Sequence, residues 1–166
     1  KAAWAFKGAK PTVLPKVENA EWRKNGIDAF VSARLAKNGL EPNGPASKAE
    51  LIRRAYYDIT GLPPKIAEVK AFIADNSSDA FEKVIDKLLA SDQYGERWGR
   101  HWMDVVRYGE STGMERNFTY PYAWRYRDYV ISAFNQDKPF DRFITEQLAG
   151  DLLPNPTTSQ LIATGF

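Results

Sequence analysis

The amphipathic run from Phe81 to Leu89 is the feature that most constrains how this chain folds. Its apolar side chains fall at positions i, i+3, i+4, i+7 and i+8, which are Phe81, Val84, Ile85, Leu88 and Leu89. That spacing places one apolar stripe on an α-helix, whereas a half-buried strand would alternate apolar and polar residues. Asp79 and Glu82 stand three residues apart at its start. The run therefore predicts a helix that is opened by a capping box.

Helical spacing recurs along the rest of the chain. We predict about seven helices, and their expected ranges are 26–38, 47–61, about 64–73, 79–89, about 94–108, 123–135 and 139–148. No stretch shows the alternation of a strand or the pattern of a β-hairpin. The sequence therefore predicts an all-α fold, a single globular domain of about seven helices with a Pro-rich extended N-terminal arm.

Three of these helices carry more specific signals. Ser47 and Glu50 have capping-box spacing at the start of the second helix, and Gly61 is expected to end it. Pro64 suits the first turn of the third helix. The expected apolar stripe of the first helix consists of Ile27, Phe30, Val31 and Leu35, and the inward-facing residues expected in the third are Val69, Phe72 and Ile73.

The expected domain organisation follows from where the helical spacing begins and ends. Residues 1–25 are predicted to form an extended arm or linker, and residues 26–150 a helical domain. Residues 151–166 are predicted to form a C-terminal segment leading into a downstream region that this chain lacks. Because the chain begins without Met and stops on an apolar run, we expect both ends to be cut from a longer protein.

Composition excludes several function classes. The net charge is only +2, from 23 basic and 21 acidic side chains. A protein that binds a nucleic-acid backbone usually carries a larger basic excess, so we expect no nucleic-acid partner. No apolar run approaches the roughly 20 residues of a membrane helix, so we expect no membrane insertion. The absence of Cys excludes a thiolate zinc site, an iron–sulfur cluster and a C-x-x-C-H haem attachment from this segment.

The stretch YGERWGRHWMDVVRYGESTG, residues 94–113, contains the only histidine of the chain, His101. Steps of four, three and four residues place Arg97, His101, Asp104 and Tyr108 on one side of the predicted helix. An imidazole three residues before a carboxylate can donate a ring N–H to it, which leaves the other nitrogen free as acid, base or ligand. The candidate catalytic residues are therefore His101, Asp104, Arg107 and Tyr108, and Arg97 and Glu110 are candidate binding residues.

The same stretch has two other interpretations. In the structural one, Arg97, His101, Asp104 and Arg107 satisfy one another in a half-buried network that holds two helices together. A metal site would need about three protein ligands, and the nearest in sequence are His101, Asp104, Glu110 and Glu115. Their spacing matches no calcium-binding loop, so we assign no metal ligands.

The segment YPYAWRYRDYV, residues 120–130, alternates aromatic and basic side chains. Aromatic rings stack on bases or sugar rings, and arginines bind carboxylates or sulfates through two parallel hydrogen bonds. Trp124, Arg125 and Tyr126 are therefore candidate binding residues, and Tyr120 and Tyr122 would extend the same stacking platform. Packing in a core or at a protein interface is the alternative for this segment.

Several long motifs resemble one known family, in the same order along the chain. They are WAF, LIRRAYYDITGLPP, KLLASDQYGERWGRHWMDVVRY, AWRYRDYVISAFNQDKPFDRFITEQLAGDLLP and ATGF. The chain resembles the second planctomycete cytochrome C-associated domain, a bacterial family of unknown function. That resemblance implies an exported, periplasmic or extracellular, multidomain protein with haem c on a neighbouring domain and no cofactor in this segment. It also implies that the partners are the adjacent cytochrome and downstream domains, and it supplies no catalytic residues.

Two functions of different class follow as expectations. In the first, the chain is a module of a redox or polysaccharide-related protein, in which Asp104 orients His101 for proton transfer. Arg107 and Arg125 would hold an anionic group there. In the second, the chain is a non-catalytic carbohydrate-binding or interdomain scaffold domain that uses its exposed aromatic rings.

Overall fold

The computed structural model describes residues 8, 11–16, 22–113 and 115–165. Eight α-helices lie within these ranges: α1 (Gly26–Lys37), α2 (Lys48–Ile59), α3 (Ile66–Ala74), α4 (Ala80–Leu89), α5 (Asp92–Val105), α6 (Ala123–Asn135), α7 (Phe140–Ala149) and α8 (Thr158–Ala163). The only extended pairing among the described residues is a single bridge between Ser111 and Thr119. The all-α prediction and the seven predicted helices are therefore confirmed.

The chain divides into two compact units, residues 1–45 and residues 46–166. The first unit contains α1, which Asn25 and Asp28 open with a reciprocal capping box. The helix stops where predicted, since Gly39 adopts a left-handed φ of 67°. Much of the predicted N-terminal arm, at 1–7, 9–10 and 17–21, lies outside the described residues.

The apolar stripe predicted for α1 is largely exposed. Ile27 is 73% exposed and Phe30 is 44% exposed, whereas the buried residues of α1 are Ala29 and Ser32. Ala29 lies about 160° around the helix from Ile27. The buried face of α1 therefore consists of small side chains, and it lies opposite the apolar stripe that the sequence predicted.

In the second unit, α2, α3 and α4 pack around one apolar cluster. Its buried members are Ile52, Ala55, Tyr56, Phe72, Ala80 and Leu88. The predicted capping box of α2 is present, because Ser47 accepts a hydrogen bond from the Glu50 N–H and the Glu50 carboxylate accepts one from the Ser47 N–H. The prediction for α3 is only partly correct. Phe72 is buried, but Ile73 is 48% exposed and the helix begins at Ile66 rather than at Pro64.

The capping box predicted for α4 is wrong. No side chain caps this helix. The Asp79 carboxylate instead pairs with Lys83 Nζ at 2.8 Å, one turn further along. A lysine at i+4 competes with the backbone N–H groups for the same carboxylate oxygens, and the spacing of Asp79 and Glu82 alone did not reveal this.

Close contact between α5 and α6 depends on a glycine. A Cβ at Gly95 would lie 2.5 Å from the carbonyl oxygen of Ile131 and 2.5 Å from Oδ1 of Asn135. The Gly95 N–H donates to that same Asn135 oxygen at 2.7 Å. The two backbones can approach this closely only without a side chain at residue 95. The α5–α6 pair consequently fixes where the end of α5 lies relative to the start of α6.

The helix α8 was not predicted, and it lies in the segment 151–166 that we expected beyond the helical domain. Thr157 and Gln160 open it with a capping box. Ala163 is fully buried in the apolar cluster of α6 and α7. A Cβ at Gly150 would lie 2.1 Å from the Gln160 carbonyl oxygen, so α8 also packs tightly against the 3-10 helix Gly150–Leu152. Six residues are too few to show a helical period in the sequence.

A buried carboxylate connects α8 to the neighbouring helices. Glu146 on α7 is only 2% exposed, and it accepts hydrogen bonds from Lys138, from the Tyr129 hydroxyl at 3.0 Å, from Arg142 Nε at 3.1 Å and from Gln160 Nε2 at 3.3 Å. Burial alone would raise the pKa of Glu146, but these donors outweigh it and lower the pKa to about 2. The carboxylate therefore stays ionised and holds α6, α7 and α8 together.

Candidate functional site

A cleft of about 650 Å³ lies between the end of α5, the start of α6 and α8. Its lining residues are Val106, Arg107, Tyr108, Gly109, Tyr120, Pro121, Tyr122, Ala123, Arg125, Tyr126, Leu161, Ile162 and Gly165. The walls are aromatic and aliphatic, and the only charged side chains among them are two arginines. This combination of an apolar concave surface with a few polar groups is typical of ligand sites.

The backbone turns sharply where α5 enters the cleft. α5 ends at Val105, and Arg107 adopts a left-handed φ of 56°. Few residues other than Gly adopt this conformation, so the surrounding structure must hold Arg107 in it. The turn takes Arg107 and Tyr108 out of the helical register on which the sequence prediction depended.

The loop between α5 and α6 is held in a narrow hairpin-like shape. The Thr112 N–H donates to the Phe118 carbonyl at 3.0 Å, and the Tyr120 N–H donates to the Glu110 carbonyl at 2.8 Å. At its tip, the Gly113 N–H donates to Oδ1 of Asn117 at 3.0 Å. These bonds fix the backbone that brings Tyr120 to the wall of the cleft.

Both arginines of the cleft have guanidinium groups without an acidic partner in the described part of the chain. The Arg125 guanidinium lies over the ring of Tyr122, 4.9 Å from its centroid, and 5.6 Å from that of Trp124. Such cation–π contacts orient the planar group while its N–H donors remain unused. Arg107 and Arg125 therefore supply positive charge to one aromatic-walled cleft.

The start of α6 adds to this positive potential. No side chain caps α6, and its first turn contains no acidic residue. Tyr122 and Ala123, the residues at that end, line the cleft. Because backbone N–H groups at a helix start carry partial positive charge, the helix end acts in the same direction as the two arginines.

A polar cluster next to the cleft lining holds Tyr108, one of the aromatic side chains of the wall. The Tyr108 hydroxyl donates to Glu110 Oε1 at 3.1 Å, and Arg127 Nη1 donates to the same oxygen at 3.0 Å. Arg127 Nε also donates to Oδ1 of Asp128 at 3.2 Å. Burial raises the pKa of Tyr108, and the Glu110 carboxylate raises it further. Tyr108 therefore remains a neutral donor at physiological pH.

Tyr126 forms the deep end of the cleft. Its side chain is 2% exposed, its hydroxyl donates to Oε1 of Gln147, and it accepts a hydrogen bond from Trp102 Nε1 at 3.1 Å. Burial raises the pKa of this hydroxyl. Tyr108 stacks on Tyr126, with ring centroids 6.2 Å apart. The floor is therefore a rigid aromatic surface rather than a source of exchangeable protons.

The structure divides the predicted site residues into two groups. Arg107, Tyr108, Arg125 and Tyr126 line the cleft, Glu110 supports it from behind, and Trp124 lies under Arg125. The others, Arg97, His101 and Asp104, are not among its lining residues. The cluster that the sequence placed on one helical stripe is therefore not assembled as predicted.

His101 and Asp104 do not form the predicted pair. His101 is exposed, and its ring makes an edge contact with the ring of Trp98, with 5.3 Å between the centroids. Asp104 instead accepts from Arg100 Nε at 3.5 Å. On a helix, Arg100 at i−4 reaches the carboxylate more readily than the shorter imidazole at i−3. In the part of the chain that the structure describes, no hydrogen bond or ion pair joins Arg97, His101, Asp104 and Arg107, so the half-buried network of the structural alternative is not seen either.

Arg97 lies against a different part of the unit. Its Cδ would be 3.0 Å from a Cβ at Gly61, so its side chain crosses the turn between α2 and α3. Gly61 has a φ of 71° there, which confirms that it ends α2. Arg97 is consequently held at this turn and not beside His101.

Sequence reasoning missed the support and one wall of the cleft. Arg127 was not among the predicted site residues. It lies about 160° around α6 from Arg125, and from that side it pairs with Glu110. Leu161 and Ile162 come from the unpredicted α8. Within the described ranges, no group of three His, Asp or Glu side chains is placed to hold a metal ion.

Comparisons with known proteins agree with the motif resemblance. A family model described as PSCyt2, protein of unknown function (DUF1549), matches residues 26–166. No curated protein and no solved structure matches the chain. In the described part of the chain, every helix is too short or too polar to cross a bilayer.

Proposed function

The chain belongs to the PSCyt2 family, a planctomycete cytochrome C-associated domain of unknown function, and from this membership and the cleft we propose that it is a binding module. In this proposal the cleft holds the anionic group of a ligand between Arg107 and Arg125. The observation that carries the proposal is that two arginines, neither of which has an acidic partner among the described residues, line one aromatic cleft at the start of α6.

Three features favour binding over catalysis. The tyrosine hydroxyls at Tyr108 and Tyr126 have raised pKa values, so they serve as neutral hydrogen-bonding groups at neutral pH. The Glu110 carboxylate already accepts hydrogen bonds from the Tyr108 hydroxyl and from Arg127 Nη1. His101, the obvious proton-transfer group, is exposed outside the cleft lining. A planar guanidinium that is pre-oriented by aromatic faces is suited to bidentate binding of a carboxylate or sulfate.

The family membership supports a wider proposal about context. The module would act beside a c-type cytochrome domain and a downstream domain in one exported, extracytoplasmic protein, with haem c on the neighbour. Residues 1–25 would serve as the linker, and residues 26–150 together with the C-terminal segment would form the module. The support for this context is the family itself, which is a planctomycete cytochrome C-associated domain.

Isothermal titration with galacturonate tests the binding proposal, because this sugar carries a single carboxylate on a pyranose ring. We expect saturable binding, and we expect Arg125→Gln or Arg107→Gln to weaken it about tenfold or more, since a hydrogen bond to a charged group contributes roughly 1.5–3 kcal/mol. Galactose, which lacks the carboxylate, should bind much more weakly.

Arg100→Gln is the matched control. Arg100 is 71% exposed and lies on α5, and its ion-pair partner among the described residues is Asp104. Its loss should leave galacturonate affinity unchanged. Equal weakening by Arg100→Gln and Arg125→Gln, or equal affinity for galactose and galacturonate, would refute the cleft as an anion site.

A further inference from the structure

We infer that the ligand is an acidic oligosaccharide, of which one carboxylate lies in the cleft and the next sugar rings lie on an exposed aromatic row outside it. The row consists of Phe118, Tyr120 and Tyr122. This inference rests on the proposed function, because it assumes that Arg107 and Arg125 hold the first carboxylate. It adds the chemical class of the ligand and a second subsite.

The row is exposed although its side chains are aromatic. Phe118 is 66% exposed, Tyr120 is 51% exposed and Tyr122 is 67% exposed. Phe118 and Tyr120 flank Thr119, which forms the extended bridge with Ser111, so their side chains point to the same side of the backbone, about 6.5 Å apart. Tyr122 follows in the turn that leads into α6. Tyr120 and Tyr122 also line the cleft, so the row starts inside the cleft and continues along the loop.

The backbone that carries the row is fixed before any ligand binds. The bridge between Ser111 and Thr119 lies within it, and the Phe118 N–H donates to Oγ1 of Thr112 at 3.1 Å. Because hydrogen bonds already fix the loop backbone, the three exposed rings lose little backbone conformational freedom when a ligand binds. The arrangement is therefore a preformed platform rather than a hydrophobic segment left uncovered.

The chemistry of the row fits sugar rings better than a purely apolar partner. The faces of pyranose rings present C–H groups that pack on aromatic faces, and sugar hydroxyls form hydrogen bonds with tyrosine hydroxyls. Two of the three rings are tyrosines. Arg116 lies two residues before Phe118 in the sequence, is exposed and has no ion pair among the described residues, so it offers a cation to a second carboxylate.

The few positive charges near the cleft make a single-stranded nucleic acid a poorer ligand for it than an acidic oligosaccharide. Such ligands need a basic groove that follows every phosphate. Here Arg127, the arginine that follows Arg125 on α6, is already paired with Glu110 and Asp128. The net charge of the chain is only +2. The cations that remain are few and separated, as carboxylates on successive sugars would require.

Calorimetric titration with galacturonate, trigalacturonate, neutral galactotriose and a short single-stranded DNA tests the inference. We expect trigalacturonate to bind at least tenfold more tightly than galacturonate. Phe118→Ala should remove most of that gain and leave the affinity for galacturonate unchanged, because Phe118 contacts only the outer sugars. Phe140→Ala is the control, since Phe140 is a comparably exposed ring, 69%, on α7 rather than on the loop.

Each outcome separates the two proposals. Equal affinity for galacturonate and trigalacturonate, with galacturonate binding still sensitive to Arg125→Gln, would overturn the aromatic subsite and leave the anion site standing. No binding of either acid would overturn both. Tighter binding of galactotriose or of DNA than of trigalacturonate would overturn the assignment of an acidic oligosaccharide.

Discussion

Arg127 Nη1 lies 3.0 Å from Glu110 Oε1, and this ion pair connects the middle of α6 to the loop that forms one wall of the cleft. Glu110 also accepts the hydroxyl of Tyr108, while its backbone carbonyl accepts the N–H of Tyr120. One residue therefore positions aromatic side chains from both ends of the loop. Its expected role is to position the wall rather than to contact the ligand.

Glu110→Ala should weaken galacturonate binding several-fold with little change in stability. The ion pair is surface-exposed, at 39% for Arg127 and 60% for Glu110, so its loss should lower the free energy of unfolding by no more than about 1 kcal/mol. Calorimetry and urea unfolding measure the two effects. Asp128→Ala, which removes the other partner of Arg127 but does not touch the loop, should leave affinity within about twofold. Equal effects of the two variants would contradict the positioning role.

Glu146→Ala should be strongly destabilising. It removes the shared partner of Lys138, Tyr129, Arg142 and Gln160 from a site where the carboxylate is 2% exposed. Breaking a buried ion pair by removing one member costs about 3–5 kcal/mol. Urea unfolding measures the loss.

Asp104→Ala is the matched control for Glu146→Ala, because the Arg100–Asp104 pair is exposed on both sides. It should change the free energy of unfolding by less than about 0.5 kcal/mol. Comparable losses of unfolding free energy in the two variants would show that the burial of Glu146 does not add to the stability that its ion pairs provide.

Stability should fall in acid because two carboxyl groups titrate far below their usual range. The pKa of Glu146 is lowered to about 2 by its donors despite burial. Hydrogen bonds from Lys87 and from the Lys65 N–H lower the pKa of Glu68 to about 2. A carboxyl whose pKa is lower in the folded state contributes stability above its unfolded pKa, here 4.5, and loses it as the pH falls toward 2.

The contribution of Glu146 should be about 3 kcal/mol at neutral pH, from the linkage between a pKa shift and stability. Urea unfolding at pH values from 7 down to 2 follows its loss. Glu146→Gln should have a flatter dependence on pH below 4.5 than the native protein. Parallel curves for the two proteins would show that Glu146 titrates normally.

His101→Ala should leave both galacturonate affinity and stability nearly unchanged. The imidazole is exposed, it forms no hydrogen bond within the described residues, and it is not part of the cleft lining. Its edge contact with Trp98 should contribute well under 1 kcal/mol to the free energy of unfolding, because the site is exposed. A tenfold loss of affinity on this substitution, measured by calorimetry, would place His101 in the binding site after all.

The helices were predictable because local spacing determines them. The Ser47–Glu50 box opens α2 as expected, and α6 has the predicted bounds of Ala123 and Asn135. The cleft could be predicted only in part. Arg107 and Arg125 were singled out as holders of an anionic group, but α8 is too short to show a period, and nothing local indicates that it packs beside them.

The predicted pairing of His101 with Asp104 is missing from the described structure for a related reason. The prediction assumed that α5 continues to Tyr108, whereas the left-handed conformation of Arg107 ends the helical register before that residue. It also assumed that Asp104 would bind the His101 imidazole, whereas Asp104 pairs with Arg100. The end of α5 and the partner of Asp104 each depend on several neighbouring residues at once. The spacing of a single pair of residues does not reveal them.

Nuclear magnetic resonance of the arginine Nε–H groups during titration with galacturonate tests the central claim most directly. The account predicts that the Arg107 and Arg125 signals, together with the amides of Tyr122 and Ala123, shift with one common dissociation constant, while the Arg100 and Arg97 signals stay in place. Shifts confined to arginines outside the cleft, or no shifts at saturating galacturonate, would contradict it.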